Sequence, residues 1–93
     1  MSEENTFFQE LEIKNRKGLH ARAAAAFVKT VENFDAEVEV SRIGQTVSGC
    51  SIMGLMMLAA SQGTTIEVKT SGKQAKEAMD AIQTLLENKF GEE

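Results

Sequence analysis

The chain's one histidine, His20, stands in the segment Lys17-Gly18-Leu19-His20-Ala21-Arg22-Ala23, where a glycine-containing loop gives way to a run of alanines. Two side chains in that segment suit phosphoryl chemistry. Neutral imidazole is nucleophilic at physiological pH, and a phosphoramidate formed on it passes readily to another nucleophile. Two residues on, Arg22 carries a planar, delocalised cation whose fork matches phosphoryl oxygens and the charge that spreads over them during transfer; a lysine would supply the charge alone. If a helix begins at Ala21, its first N–H groups lack internal partners and carry the positive end of the dipole. That end favours an anion by about 0.3–1 kcal/mol when exposed and up to ~2 kcal/mol when partly buried. A phosphoryl group on His20 would sit beside it. By position and charge alone, however, a capping histidine and a solvated arginine account for the segment more simply.

Ser51, just ahead of Ile52-Met53-Gly54-Leu55, is a second candidate. A serine in that place caps a helix with its hydroxyl and needs no further role. Its neighbour Cys50 is the only cysteine, so no internal disulfide can form, and one Cys with one His makes no closed zinc site without many carboxylates. No metal and no cofactor are therefore expected, and Cys50 reads as a small buried hydrophobe in a reducing compartment.

These residues need elements to position them. From Phe7 to Lys14, the apolar Phe7, Leu11 and Ile13 alternate with Glu10, Glu12 and Lys14, the pattern of a half-buried strand. Ala24, Phe27, Val28 and Val31 recur at helical spacing and predict a first helix from Ala21 to about Phe34. Ala36, Val38 and Val40 alternate with Glu37, Glu39 and Ser41, and a Gly44-Gln45 turn into Thr46 and Val47 predicts a hairpin. Ser51 to Ala60, with Leu55, Leu58 and Ala59 on one face, predicts a short second helix. Ile66 and Val68 mark a fourth strand, Ser71 and Gln74 have capping-box spacing, and Ala75 to Leu86 carries the apolar stripe of a last helix that Gly91 would stop. The order βαββαβα with one-sided strands predicts an α+β, two-layer open-faced sandwich.

Bulk properties narrow the function. Ninety-three residues suffice for a single domain spanning 1–93, with 1–6 expected to be a flexible N-terminus. A charge of −4 without a Lys/Arg cluster, and the absence of Trp and Tyr, argue against nucleic acid as a partner. No apolar run approaches the roughly 20 residues that span a bilayer, and the acidic start Met-Ser-Glu-Glu-Asn has no signal-peptide features, so a cytoplasmic protein without membrane insertion is expected.

Gly18-Leu19-His20-Ala21-Arg22 resembles the active-site motif of the HPr family, the histidine-containing phosphocarriers of the phosphoenolpyruvate-dependent phosphotransferase system. Ser51-Ile52-Met53-Gly54-Leu55-Met56 resembles the family's serine motif, at the expected separation and on the matching element. The resemblance implies an antiparallel four-stranded sheet with three helices on one face, and phosphorylation of His20 at Nδ1. Enzyme I would be the donor, IIA proteins or domains the acceptors, and Arg22 the stabiliser of the phosphoryl group. It also implies that Ser51 is a regulatory phosphorylation site wherever an HPr kinase/phosphorylase is present; a dianion at a helix start is tolerated by the fold and acts on partners instead. Ala23 departs from the pattern, since many members have Pro there, but alanine is a good helix former and the geometry should survive. The similarity reaches nitrogen-related branches as well, so sugar and nitrogen pathways both stay open.

The second helix is apolar nearly all round, and a domain this small has little to cover both sides. Ile52, Met53, Met56 and Met57 are therefore expected to form a docking face, with Lys29 on the first helix complementing acidic patches on partners. Nothing in the sequence requires more than a monomer. Two other readings compete with the carrier: an interaction module on the same fold with His20 incidental, and a small acid-base enzyme using His20 and Arg22. The enzyme lacks a further set of convergent polar groups.

Overall fold

The computed structural model describes residues 5–92. Four strands, β1 (Thr6–Glu12), β2 (Glu37–Arg42), β3 (Gln45–Ser48) and β4 (Thr65–Ser71), form one antiparallel sheet in the order β1-β4-β2-β3. Three helices, α1 (Ala21–Val31), α2 (Ile52–Met57) and α3 (Ala75–Glu87), and a final 3₁₀ turn (Lys89–Gly91) complete the chain. This is the expected βαββαβα open-faced sandwich.

Alternation explains the layering. In β4 the side chains of Ile66, Val68 and Thr70 are buried while Thr65, Glu67 and Lys69 are exposed, and Val38 and Val40 of β2 sit beside them on the covered face. α3 lies across β1 and β4, α2 packs on β3, and α1 is wedged between the other two helices. Ala24, Phe27, Val28 and Val31 of α1, the stripe read from the sequence, together with Ala23, share a common core with Met79, Ile82 and Leu86 from the stripe of α3. Thr70 is fully buried, but its hydroxyl donates to the Ala75 carbonyl at 2.9 Å, so the one polar side chain of that strand's inner face is satisfied and ties β4 to the start of α3.

Several local expectations shift. Thr6 already pairs with Ser71, and the Asn5 carbonyl accepts from Gly72 N at 3.0 Å, so β1 begins one residue early; of the stretch 1–6 expected to be flexible, residues 1–4 lie outside the described residues. The β2–β3 turn is Ile43-Gly44, both with positive φ (49° and 78°), one residue ahead of Gly44-Gln45. Those signs at both central positions match the twist of the flanking strands, a fit that overrides the reluctance of a β-branched residue to adopt them. α1 ends at Val31, and α2 stops at Met57 because Ala59 takes φ 54°, which leaves Ala59 exposed and sends Ala60 into the core instead. Ser71 and Gln74 form no capping box: Ser71 still pairs in the sheet, and Gln74 Oε1 accepts from the backbone N–H of Asp35 at 2.7 Å. Cys50 is exposed, not buried, since it lies in the turn after β3.

Candidate functional site

His20 occupies the N-cap position of α1 with an extended backbone (φ −79°, ψ −177°), yet its side chain makes no capping hydrogen bond. The plainer reading of this histidine as a cap therefore fails. No acidic residue lies in the first turn of α1, so neither a cap nor a carboxylate of that turn offsets the positive end of the helix. Imidazole and helix start face an open depression lined by Arg16, Lys17, His20, Arg22, Phe90, Gly91 and Glu92. Three cationic side chains and the imidazole thus share one surface, and Arg22 is exposed on it.

The loop ahead of His20 is held by short-range bonds and one close approach. Asn15 is fully buried and its Nδ2 donates to the Gly18 carbonyl at 2.8 Å, Gly18 N donates to the Asn15 carbonyl at 3.2 Å, and Leu19 N donates to the Ala60 carbonyl at 2.9 Å. Gly18 has φ 66° and lies against the backbone of Ala60 and Ser61, where only a residue without Cβ fits.

Several site residues were not anticipated, among them Asn15, Arg16, Phe90 and Glu92. Glu92 reaches His20 from the other end of the chain, its Oε2 lying 2.5 Å from Nε2, while its Oε1 accepts from Asn15 Nδ2 at 3.0 Å. What brings it there is the turn after α3: Lys89, Phe90 and Gly91 all have positive φ (56°, 56° and 76°), and Phe90 packs against the core. Gly91 therefore reverses the chain toward α1 and does not cap α3, which ends at Glu87. An apolar Phe90 beside that glycine is the one sequence sign of an inward turn. Burial pushes the Glu92 carboxyl up, but the hydrogen bonds from Asn15 and His20 and the charges of His20 and Lys17 outweigh it, holding it below the ordinary 4.5.

Ser51 caps α2 as expected, its Oγ accepting from Gly54 N at 2.9 Å. Ser51→Ala should lower stability by about 1 kcal/mol, because a helix of six residues has no other side-chain cap at its start. Denaturant unfolding should show the loss, and an unchanged midpoint would show that the cap contributes nothing. Ile52, Met53, Met56 and Met57 are all exposed, Met53 by 71%, and with Lys29, also exposed, they lie outside the depression that holds His20. Among the described residues no group of three or more His, Cys, Asp and Glu side chains could hold a metal ion, and no helix is long and apolar enough to cross a membrane.

An open-faced βαββαβα sandwich with a histidine at an uncapped helix start, ringed by basic side chains, defines a class of small phosphoryl carriers. Residues 8–88 match the family model described as the PTS HPr component phosphorylation site. The chain is 50% identical over 84 residues to the phosphocarrier protein HPr of Neisseria meningitidis, covering 90% of this chain and 94% of that one, and 49% identical over 80 residues to HPr of Cupriavidus necator, covering 86% and 90%. The crystal structure of HPr-C-His from Thermoanaerobacter tengcongensis superposes with a TM-score of 0.89 at 42% identity, over 94% of this chain and 98% of that one. The chain belongs to the HPr family of phosphotransferase-system phosphocarriers.

Proposed function

We propose that the chain, as one monomeric, cytoplasmic domain over 1–93, accepts a phosphoryl group from phosphorylated enzyme I on His20 and passes it to IIA proteins or domains. The observation that carries this reading is the place of the only histidine: at the N-terminus of α1, making no cap, in one depression with Arg16, Lys17 and Arg22. In the step proposed, the Nδ1 lone pair attacks phosphorus as the bond to the donor breaks, and the reverse exchange delivers the group to the acceptor. Arg22 neutralises the phosphoryl oxygens, and the first N–H groups of α1 receive them. The carrier moves a group without turning over a substrate of its own.

Docking falls to the exposed face of α2, Ile52, Met53, Met56 and Met57, with Lys29, exposed on α1, complementing acidic patches on partners. A small, shared apolar surface suits a protein that must leave each partner quickly. Phosphorylation of Ser51 by an HPr kinase/phosphorylase would place a dianion at the head of that surface and weaken docking by charge and bulk.

Incubation of the wild-type chain with enzyme I and phosphoenolpyruvate, followed by intact-mass analysis, should give one acid-labile phosphoryl adduct. No adduct with enzyme I of the same organism would sink the carrier reading in favour of an interaction module.

A further inference from the structure

We propose that Glu92, held by Asn15, is a positioning residue that fixes the tautomer of His20 and leaves Nδ1 as its only nucleophilic nitrogen, a role that rests on the reading of His20 as the phosphoacceptor. The argument begins with what each atom can donate. A carboxylate oxygen only accepts, so the ring nitrogen facing Glu92 Oε2, Nε2, must carry the hydrogen of their 2.5 Å contact. A neutral imidazole has one N–H, and the lone pair is then on Nδ1. The carboxyl is ionised at neutral pH: Asn15 Nδ2 and the Nε2–H of a neutral His20 both donate to it, and Lys17 adds positive charge beside it.

The same contact serves the transfer step. As Nδ1 bonds to phosphorus the ring becomes cationic, and the proton on Nε2 stays where it is, donating to Glu92 before and after the exchange. Positive charge developing on the ring meets a carboxylate already in place, the logic by which an acidic partner orients a catalytic or ligating histidine. Arg16, Lys17 and Arg22 are the other charged groups lining the depression, and all three favour the phosphoryl oxygens.

Asn15 shows that the arrangement is built. Its side chain is fully buried and Nδ2 serves both the Gly18 carbonyl and Glu92 Oε1, while Oδ1 has no hydrogen-bond partner among the described residues. A buried polar atom left unpaired costs about 1–3 kcal/mol, a cost that is understandable where the amide is needed to hold the carboxylate. The positive φ of Lys89 and Phe90 is a second cost, in the backbone, made to deliver the same group.

The test compares full-length wild type, Glu92→Gln and Glu92→Ala by 15N NMR of labelled histidine and by phosphoryl uptake from enzyme I at varied carrier concentration. Wild type should show the Nε2–H form. Glu92→Gln, whose amide oxygen still accepts, should keep that pattern with a kcat about tenfold lower, and Glu92→Ala should show mixed tautomers and a kcat lower by about ten- to a hundredfold, both with KM unchanged. An unaltered tautomer and a kcat within about twofold in Glu92→Ala, against the loss expected of an orienting partner, would overturn the proposal. The NMR pattern does not depend on transfer. A wild type that takes up no phosphoryl group therefore overturns the carrier reading, while the tautomers still decide whether Glu92 orients the ring.

Discussion

His20→Ala should abolish phosphoryl uptake from enzyme I and phosphoenolpyruvate while leaving the chain folded with nearly its full stability. The loss is expected to be total because His20 is the only histidine; the Arg22 guanidinium stays protonated at neutral pH and has no nucleophilic lone pair, and the capping hydroxyl of Ser51 would give an ester, not a phosphoramidate. The fold should survive because the imidazole carries little of it. Its side chain is 28% exposed and makes no cap, and the helix it precedes is held by Ala23, Ala24, Phe27, Val28 and Val31 in the core. Removal deprives Glu92 of one partner but leaves the bond from Asn15, so the cost should stay within about 1 kcal/mol, the centre of the range for single substitutions. Intact mass and a denaturant midpoint on the same preparation check both halves. An adduct that persists in the variant would place the acceptor elsewhere, and a collapsed midpoint would make His20 a structural residue.

What was legible in the sequence is what local rules govern. Period-two alternation found the strands, the Ala24-Phe27-Val28-Val31 spacing found α1, and a serine before a short apolar helix found a real cap. His20 stood out because it is alone and because glycine precedes the helix it opens. The missed parts all depend on partners distant in sequence. Gln74 has the spacing of a capping residue, but Asp35, 39 residues away, offers a backbone N–H that its side chain takes instead. Glu92 lies 72 residues from His20 and 77 from Asn15, and the turn that unites them puts Lys89 and Phe90 at positive φ, which neither residue type announces. His20 and Arg22, proposed to carry the transfer, are therefore written in one stretch of chain. Glu92, proposed to orient the imidazole, is written at the other end, and only folding joins them.

Gly18→Ala, two residues from the histidine, should do the reverse of His20→Ala: damage the fold first and the site through it. The backbone there has φ 66°, which costs a residue with Cβ about 1–2 kcal/mol. The added carbon would also stand 2.3 Å from the Ala60 carbonyl oxygen and 2.9 Å from Ser61 Cα, both backbone atoms with no side-chain freedom to yield. Relief requires the loop to move off the Ala60 segment, which breaks the Leu19 N to Ala60 O bond of 2.9 Å and shifts the Gly18 carbonyl that holds Asn15. Strain and overpacking together should cost about 3 kcal/mol, a large share of the ~5–15 kcal/mol that holds a small domain. Gly63→Ala is the matched control, since Gly63 also has positive φ (89°) but open space where its Cβ would go. It should lose only about 1 kcal/mol by denaturant unfolding. Equal, small losses in the two variants would mean that the loop does not press on Ala60, and that the placing of His20 rests on the helix start alone.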